Sequence, residues 1–498
     1  MNEWAELDRA LEAMAASGYA EVREDGEWLA ELAGLHCEVR SRGKNSLVHL
    51  WSEERSVTRR VLRVREQSQD RIVLEVQRFG RARPSCIEFL RTDLPRSARR
   101  ITRDQFRARF KRILSERFPD AQIEALTTAP DLQRSLSSWY ARGRMREGGR
   151  SYALMAIAPG ESSAAIEGML AFGIIWLDWT RSRAERHSIE ALRLFVPEGS
   201  ARLLRERALA LSGTARTEIF EYRESDWRIQ KMDLADAGNL ESWLVPRRES
   251  ESVLQAARDS ASRASTLARI MDDSNVPVRL RVLVGVKEVA FCYRGLEFAR
   301  WSKEGLKFGL GDSQQFVTTA KEPLFERLIA KLELQRSPLA SDTNNRLYRA
   351  APERWLESVV LEDCTQLDAV LDPRYVYSQM PALAAGDRGI LDLLGVTRRG
   401  RLVVIELKAT EDIQLPLQAV DYWLRVRRHQ RDGDFERYGY FTGITLDPKP
   451  PLVWLAAPAL RFHSATATLL KYLSPEISVT RIGLNENWRR GLKVTFRQ

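Results

Sequence analysis

Between Cys37 and Arg91 apolar residues alternate with polar or charged ones, in runs such as SLVHLWS, RRVLRVRE and RIVLEVQRFG. A period of two marks half-buried antiparallel strands. Residues 1–30 read differently, as a short amphipathic helix and a turn. In RDQFRARFKRILSERF the period lengthens, and the spacing predicts a helix from near Arg103 to Pro119. A Ser-, Ala-, Arg- and Glu-rich stretch over 247–266 predicts a helical connector. A second strand-rich patch follows (VRLRVLVGV, VAFCYRGLEFARW, GLKFGLG), closed by the turn-rich run RSPLASDTNNR. The predicted organisation is an N-terminal helix plus β-rich domain over 1–95, an αβ domain over 96–245, a helical connector plus β-rich domain over 246–340, and a second αβ domain over 341–498.

The two αβ segments read alike. PPLVWLAAPALRFHSATATLLKYLSPEISVTRIGLNENW, ending at Trp488, and SIEALRLFVPEGSARLLRERALALSGTARTEIFEYRESDW, ending at Trp227, share one order: strand, Pro-containing turn, helix, strand, polar turn, Trp. Upstream, GRLVVIELKATED from Gly400 parallels GRSYALMAIAPGES from Gly149. Helices LQAVDYWLRVRR and IEGMLAFGIIWLDWTR match next, as do PERWLESVV and RDQFRARFKRILSERF. The pattern predicts one α/β unit present in tandem.

With 498 residues the chain exceeds one hydrophobic core. A hydrophobic share of 44% and a charged share of 29% are ordinary for a globular protein. The opening residues carry no basic leader, and the longest apolar stretch, Gly168 to Trp179, is too short to span a bilayer and is broken by Asp178. The expected location is cytoplasmic, without a membrane partner. Cys37, Cys86, Cys292 and Cys364 are scattered and the five histidines isolated, which turns any metal site toward carboxylates and a hard cation. The net charge of +10 is uneven, with fourteen Lys/Arg against six Asp/Glu from Pro95 to Arg150. Such a surface suits an anionic polymer.

The candidate chemistry lies in the second αβ segment. In ILDLLGV one acid, Asp392, interrupts an apolar strand, and a lone buried carboxylate needs a partner. In RLVVIELK, Glu406 and Lys408 fall on one strand face and Leu407 on the other. The turn TRRG between the two strands makes them a hairpin and brings Asp392 beside Glu406. Two facing carboxylates repel unless a cation separates them. Mg²⁺ or Mn²⁺ held by Asp392, Glu406 and the Leu407 backbone carbonyl resolves the conflict. Lys408 then lies beside the ion, able to stabilise an attacking hydroxide or the charge on a phosphate. Pro416 suits a helix start, after which Gln418 and Tyr422 share a face.

Asp392, Glu406-x-Lys408 and Gln418-x-x-x-Tyr422, in this order and spacing, resemble the PD-(D/E)xK nuclease superfamily, in particular its RecB-type Gln-x-x-x-Tyr branch. GILDLL…RLVVIELK is also similar to NucS-like DNA endonucleases. The resemblance covers roughly residues 352–498, with Leu391 where the name-giving proline would stand. It implies a restriction-endonuclease-like three-layer αβα fold with a mixed sheet, and metal-dependent hydrolysis of phosphodiester bonds, with DNA as the expected substrate. It also implies an acid on the preceding helix, for which Glu353 and Glu357 both qualify, and an orienting role for Gln418 and Tyr422. In the first copy Glu406 maps to Met155, Lys408 to Ile157 and Asp392 to Ala141, so that copy, about 100–232, is expected to be degenerate. Its Arg142, Arg144 and Arg146, with Arg425, Arg427 and Arg428 of the later helix, are the expected phosphate contacts. Assembly is expected either as a homodimer or as a pseudo-dimer within one chain. The alternative function is a non-catalytic nucleic-acid-binding or scaffold protein built from nuclease-like modules.

Overall fold

Four β-sheets and twelve α-helices organise the described residues of the computed structural model. These residues are 3–16, 20–24, 27–32, 36–42, 45–51, 56–68, 71–77, 84–91, 96–184, 188–234, 244, 246–262, 265–272, 278–283, 288–310, 314–378 and 391–498. The expected boundaries at 95 and 245 fall outside them.

By contact the chain divides into two compact units, Met1–Leu240 with Ser464–Pro475, and Glu241–His463 with Glu476–Gln498. The first unit opens with a seven-stranded antiparallel sheet over 20–91. Leu7, Leu11 and Met14 of the amphipathic helix Glu3–Ala16 pack on it. A six-stranded mixed sheet over 122–231 follows. The helix before it runs Arg96–Arg117, starting earlier than the periodicity around Arg103 indicates, and buries Phe106, Phe110, Ile113 and Leu114 against the sheet. Segment 464–475 belongs to this same body. Ser212 N–H donates to Tyr472 O at 2.9 Å and Ser474 N–H to Ala210 O at 2.8 Å, while the Lys471 ammonium pairs with Asp178 at 2.9 Å.

The second unit contains a five-stranded antiparallel sheet over 278–316 and a six-stranded mixed sheet over 371–497. The two six-stranded sheets have the same strand order along the chain. Each shows the same succession of directions: two antiparallel pairings, two parallel, one antiparallel. Each also has a left-handed glycine near its first tight hairpin turn, Gly149 (φ 78°) and Gly400 (φ 84°). Each buries a Trp before its last strand, Trp227 and Trp488. Registers align the copies. Met155 lies beside Leu194 and Glu406 beside Leu455, three residues before Pro197 and Pro458 respectively. Met155 also faces Arg142, so the position of Asp392 corresponds to Arg142 and not to Ala141.

In the later sheet alternate residues serve two cores. Leu393, Val403, Ile405 and Leu407 pack with Trp355, Leu356 and Val360 of helix Pro352–Glu362. Leu394, Val396, Leu402 and Val404 pack with Tyr422 and Val426 of helix Leu415–Arg431. A sheet covered on both faces needs apolar residues at both parities, which is why strand Leu402–Leu407 reads as a continuous run.

The five-stranded sheet is fastened to helix Pro352–Glu362 at one hairpin. Its turn, Arg294–Gly295, has φ of 45° and 80°, the backbone that favours glycine. A Cβ on Gly295 would come within 2.0 Å of the Arg354 carbonyl oxygen. Arg336, fully buried, donates to the carbonyls of Arg294, Leu347, Ala350 and Ala351 and lies 4.7 Å over the Trp355 ring.

Candidate active site

Asp392 sits one residue ahead of strand Leu393–Thr397, not within it. The pairing Leu393↔Ile405 continues to place it across from Glu406. The Leu407 N–H donates to Asp392 Oδ2 at 2.9 Å, fixing the carboxylate at the strand end. Asp392, Glu406 and Lys408 are all buried, at 8%, 4% and 7% exposure, so their charges must be answered by neighbours rather than by water.

Arginine 354 provides that answer for Asp392. Its Nη1 donates to Asp392 Oδ1 at 3.2 Å and to Glu357 Oε2 at 2.9 Å. Of the two helix acids, Glu357 is therefore the one joined to Asp392. Glu353 turns to the chain after Lys408, accepting from the Ala409 N–H at 3.4 Å and the Thr410 hydroxyl at 3.2 Å. The Lys408 ammonium lies 3.3 Å from Asp412. Sequence spacing missed Arg354 and Asp412; the signal for Arg354 was the counter-charge that a buried Asp392 demands.

Burial pushes the Asp392 carboxyl up to about 6, with Glu357 adding to the rise and Arg354, Lys408 and the Leu407 N–H opposing it. The folded protein then holds a proton at pH values where the unfolded chain, near the ordinary 3.8, has lost it. Stability falls as pH rises from about 4 through about 6. Urea midpoints of metal-free protein should drop across that window, and drop less in Asp392→Asn. Parallel profiles for the two proteins would refute this account.

Tyr422, also buried, lies close enough to Glu406 and Asp392 for both to act on it. Burial first, then the charges of Glu406, Asp392 and Asp421, holds its phenol well above the usual range, so it stays a neutral O–H. Asp421 is a further buried acid of the same helix that the spacing did not single out. Gln418, one turn earlier, has a buried side-chain oxygen without a hydrogen-bond partner.

No family model, curated protein or solved structure matches this chain.

Two of the six expected phosphate contacts, Arg142 and Arg425, are buried. Arg142 is 4% exposed, donates to the Ala129 carbonyl and lies 5.7 Å from the Trp176 ring centre, so its guanidinium lies inside the fold. Arg425 is 1% exposed and donates to Asp421 O at 2.6 Å. Arg144 is half-buried and pairs with Glu124 at 3.2 Å, with Arg146 at 4.0 Å from the same carboxylate. Arg427 donates to Gln430 Oε1 and to Pro448 O, whereas Arg428 is exposed and 3.7 Å from Asp432.

Among the described residues no three His, Cys, Asp or Glu side chains converge as a metal site, and no helix is long and apolar enough to cross a membrane. The donors for a cation are two carboxylates and a carbonyl, an all-oxygen set suited to Mg²⁺ or Mn²⁺. The rise at Asp392 marks a carboxylate whose charge Arg354 does not fully offset, and on that observation the oxygen set fits a hard cation; the positive group on Asp392 in this structure is Arg354.

Proposed function

We propose that the later αβ domain is a restriction-endonuclease-like phosphodiesterase that hydrolyses nucleic acid, with DNA as substrate. The observation that carries this reading is the placement of Asp392 across from Glu406 at a strand end, with Lys408 buried one residue past the strand and Tyr422 close to both carboxylates. Asp392, Glu406 and the Leu407 carbonyl would hold Mg²⁺ or Mn²⁺. When bound, the cation supplies Lewis acidity at the phosphate and a lowered pKa for water. Lys408 contributes fixed positive charge where charge builds on the phosphate, in a water-poor setting that strengthens it. Tyr422, kept protonated, offers an O–H and never a competing anion. Arg354, bonded to both acids here, would stay with Glu357 if Asp392 held the cation.

A specific observation favours a second reading. Arg354 already pairs with both Asp392 and Glu357, and the first copy has Met155 and Arg142 at the positions of Glu406 and Asp392. A protein that only binds nucleic acid through two such modules has no need of turnover.

The test is incubation of the purified chain with single-stranded, duplex and branched DNA and with RNA, with Mg²⁺, Mn²⁺ or EDTA. Metal-dependent products are expected. Salt-sensitive binding that survives EDTA, without products on any substrate, would select the second reading instead.

A further inference from the structure

A cavity of about 430 Å³ opens within the second unit, beside the carboxylates but outside the set assigned to the cation. One wall is a single face of helix Pro352–Glu362, formed by Arg354, Glu357, Ser358 and Leu361. The facing walls are aliphatic, with Leu254, Met271, Val278 and Leu280. Arg258 stands at the rim, exposed, on helix Arg247–Ala261. Among the described residues it makes no ion pair. Ser378 adds a second hydroxyl.

The lining has three chemistries in one space. Two guanidinium groups, of Arg258 and Arg354, suit an anion, and arginine's fork matches phosphate oxygens. Branched and thioether side chains suit the face of a flat ring. Glu357 accepts, Ser358 accepts while its own hydroxyl donates to Trp355 O at 2.7 Å, and Ser378 accepts or donates, which suits the polar edge of a heterocycle. The volume lies in the range of pockets that enclose a small ligand, about 300–1,000 Å³.

We infer that this cavity binds one nucleoside monophosphate unit, with its base against Leu254, Met271 and Leu280 and its phosphate on Arg258 and Arg354. The unit is either a free nucleotide or one residue of a polynucleotide turned into the cavity; the latter source rests on the nuclease reading above. Arg354 is shared between cavity and carboxylates, so a phosphate here and Asp392 draw on one guanidinium.

The test is isothermal titration of the full chain in EDTA with the four deoxynucleoside 5′-monophosphates, the matching nucleosides, inorganic phosphate and a short single-stranded oligonucleotide. At least one monophosphate should bind saturably, and tenfold or more tighter than its nucleoside or phosphate alone. Arg258→Gln should weaken it at least tenfold, and Leu280→Trp, which fills the cavity, should abolish it. An oligonucleotide that competes with the monophosphate and loses affinity in both variants identifies the polymer as the source. An oligonucleotide indifferent to both variants leaves the free nucleotide. If neither ligand shows binding that depends on Arg258 and Leu280, the inference is wrong. Because Leu280→Trp could perturb folding, the Arg258→Gln result decides where that variant unfolds. Cavity binding without cleavage would remove the nuclease reading alone, and cleavage without cavity binding would remove this inference alone.

Discussion

Replacing Arg336 with methionine should lower the stability of the second unit by several kcal/mol, since each buried carbonyl left without its donor costs about 1–3 kcal/mol. The side chain is fully buried, and its five N–H donors are placed against four carbonyl oxygens from three stretches of chain: Arg294, Leu347, and Ala350 with Ala351. Methionine fills much of the volume but takes the guanidinium donors from the Arg294, Leu347 and Ala350 carbonyls in a dry interior, while Ala351 O keeps the Trp355 N–H at 3.1 Å. Lysine restores the charge yet not the planar fork, so Arg336→Lys should recover only part of the loss. Urea unfolding followed by tryptophan fluorescence reads the effect, since Trp355 lies under the guanidinium. A midpoint for Arg336→Met equal to that of wild type would show that the hairpin and the helix are held some other way.

The second large effect concerns Glu406 and Lys408, and the first copy supplies the control. There the corresponding strand places Met155 and Ile157, both fully buried, in the same topology. The double change Glu406→Met with Lys408→Ile should therefore fold. Exchanging a whole buried ion pair for apolar groups of similar size is neutral or stabilising by about 1–4 kcal/mol, a gain reduced here because Asp412 loses its Lys408 partner at 3.3 Å. Cleavage should fall by on the order of 10²–10³ in kcat for Lys408→Ile alone, the scale of losing one preorganised electrostatic group. The double variant should show none. Denaturation curves and cleavage rates on the same preparations separate the two effects. A double variant that cuts as wild type does, or that fails to fold, would break the argument at a different point in each case.

Local regularities made much of this legible in the sequence. The parity of LVVIEL, the acid ahead of LLGV and the four-residue step from Gln418 to Tyr422 are each set within a few residues. The hairpin that joins the first two is short, so the register carries Asp392 across from Glu406, one step past the pair Leu393↔Ile405. The repeat was legible for the same reason, because each copy keeps its own strand order. What was not legible depends on distant contacts. Arg354 and Asp392 are 38 residues apart, and Arg336 and Arg294 are 42 apart. Nothing in YARGRMRE tells an arginine that faces solvent from Arg142, whose neighbours Ala129 and Trp176 arrive from either side in sequence. Charge counting took exposure for granted, and burial decided otherwise for Arg142 and Arg425.

The placement of segment 464–475 in the first unit bears on how such a gene could be divided. A fragment encoding residues 1–240 would lack the piece that supplies partners to Ala210, Ser212 and Asp178. The complementary fragment would carry that piece with no body of its own to receive it. Gene fission would therefore injure both products at once, and the two repeats are bound to travel as one reading frame.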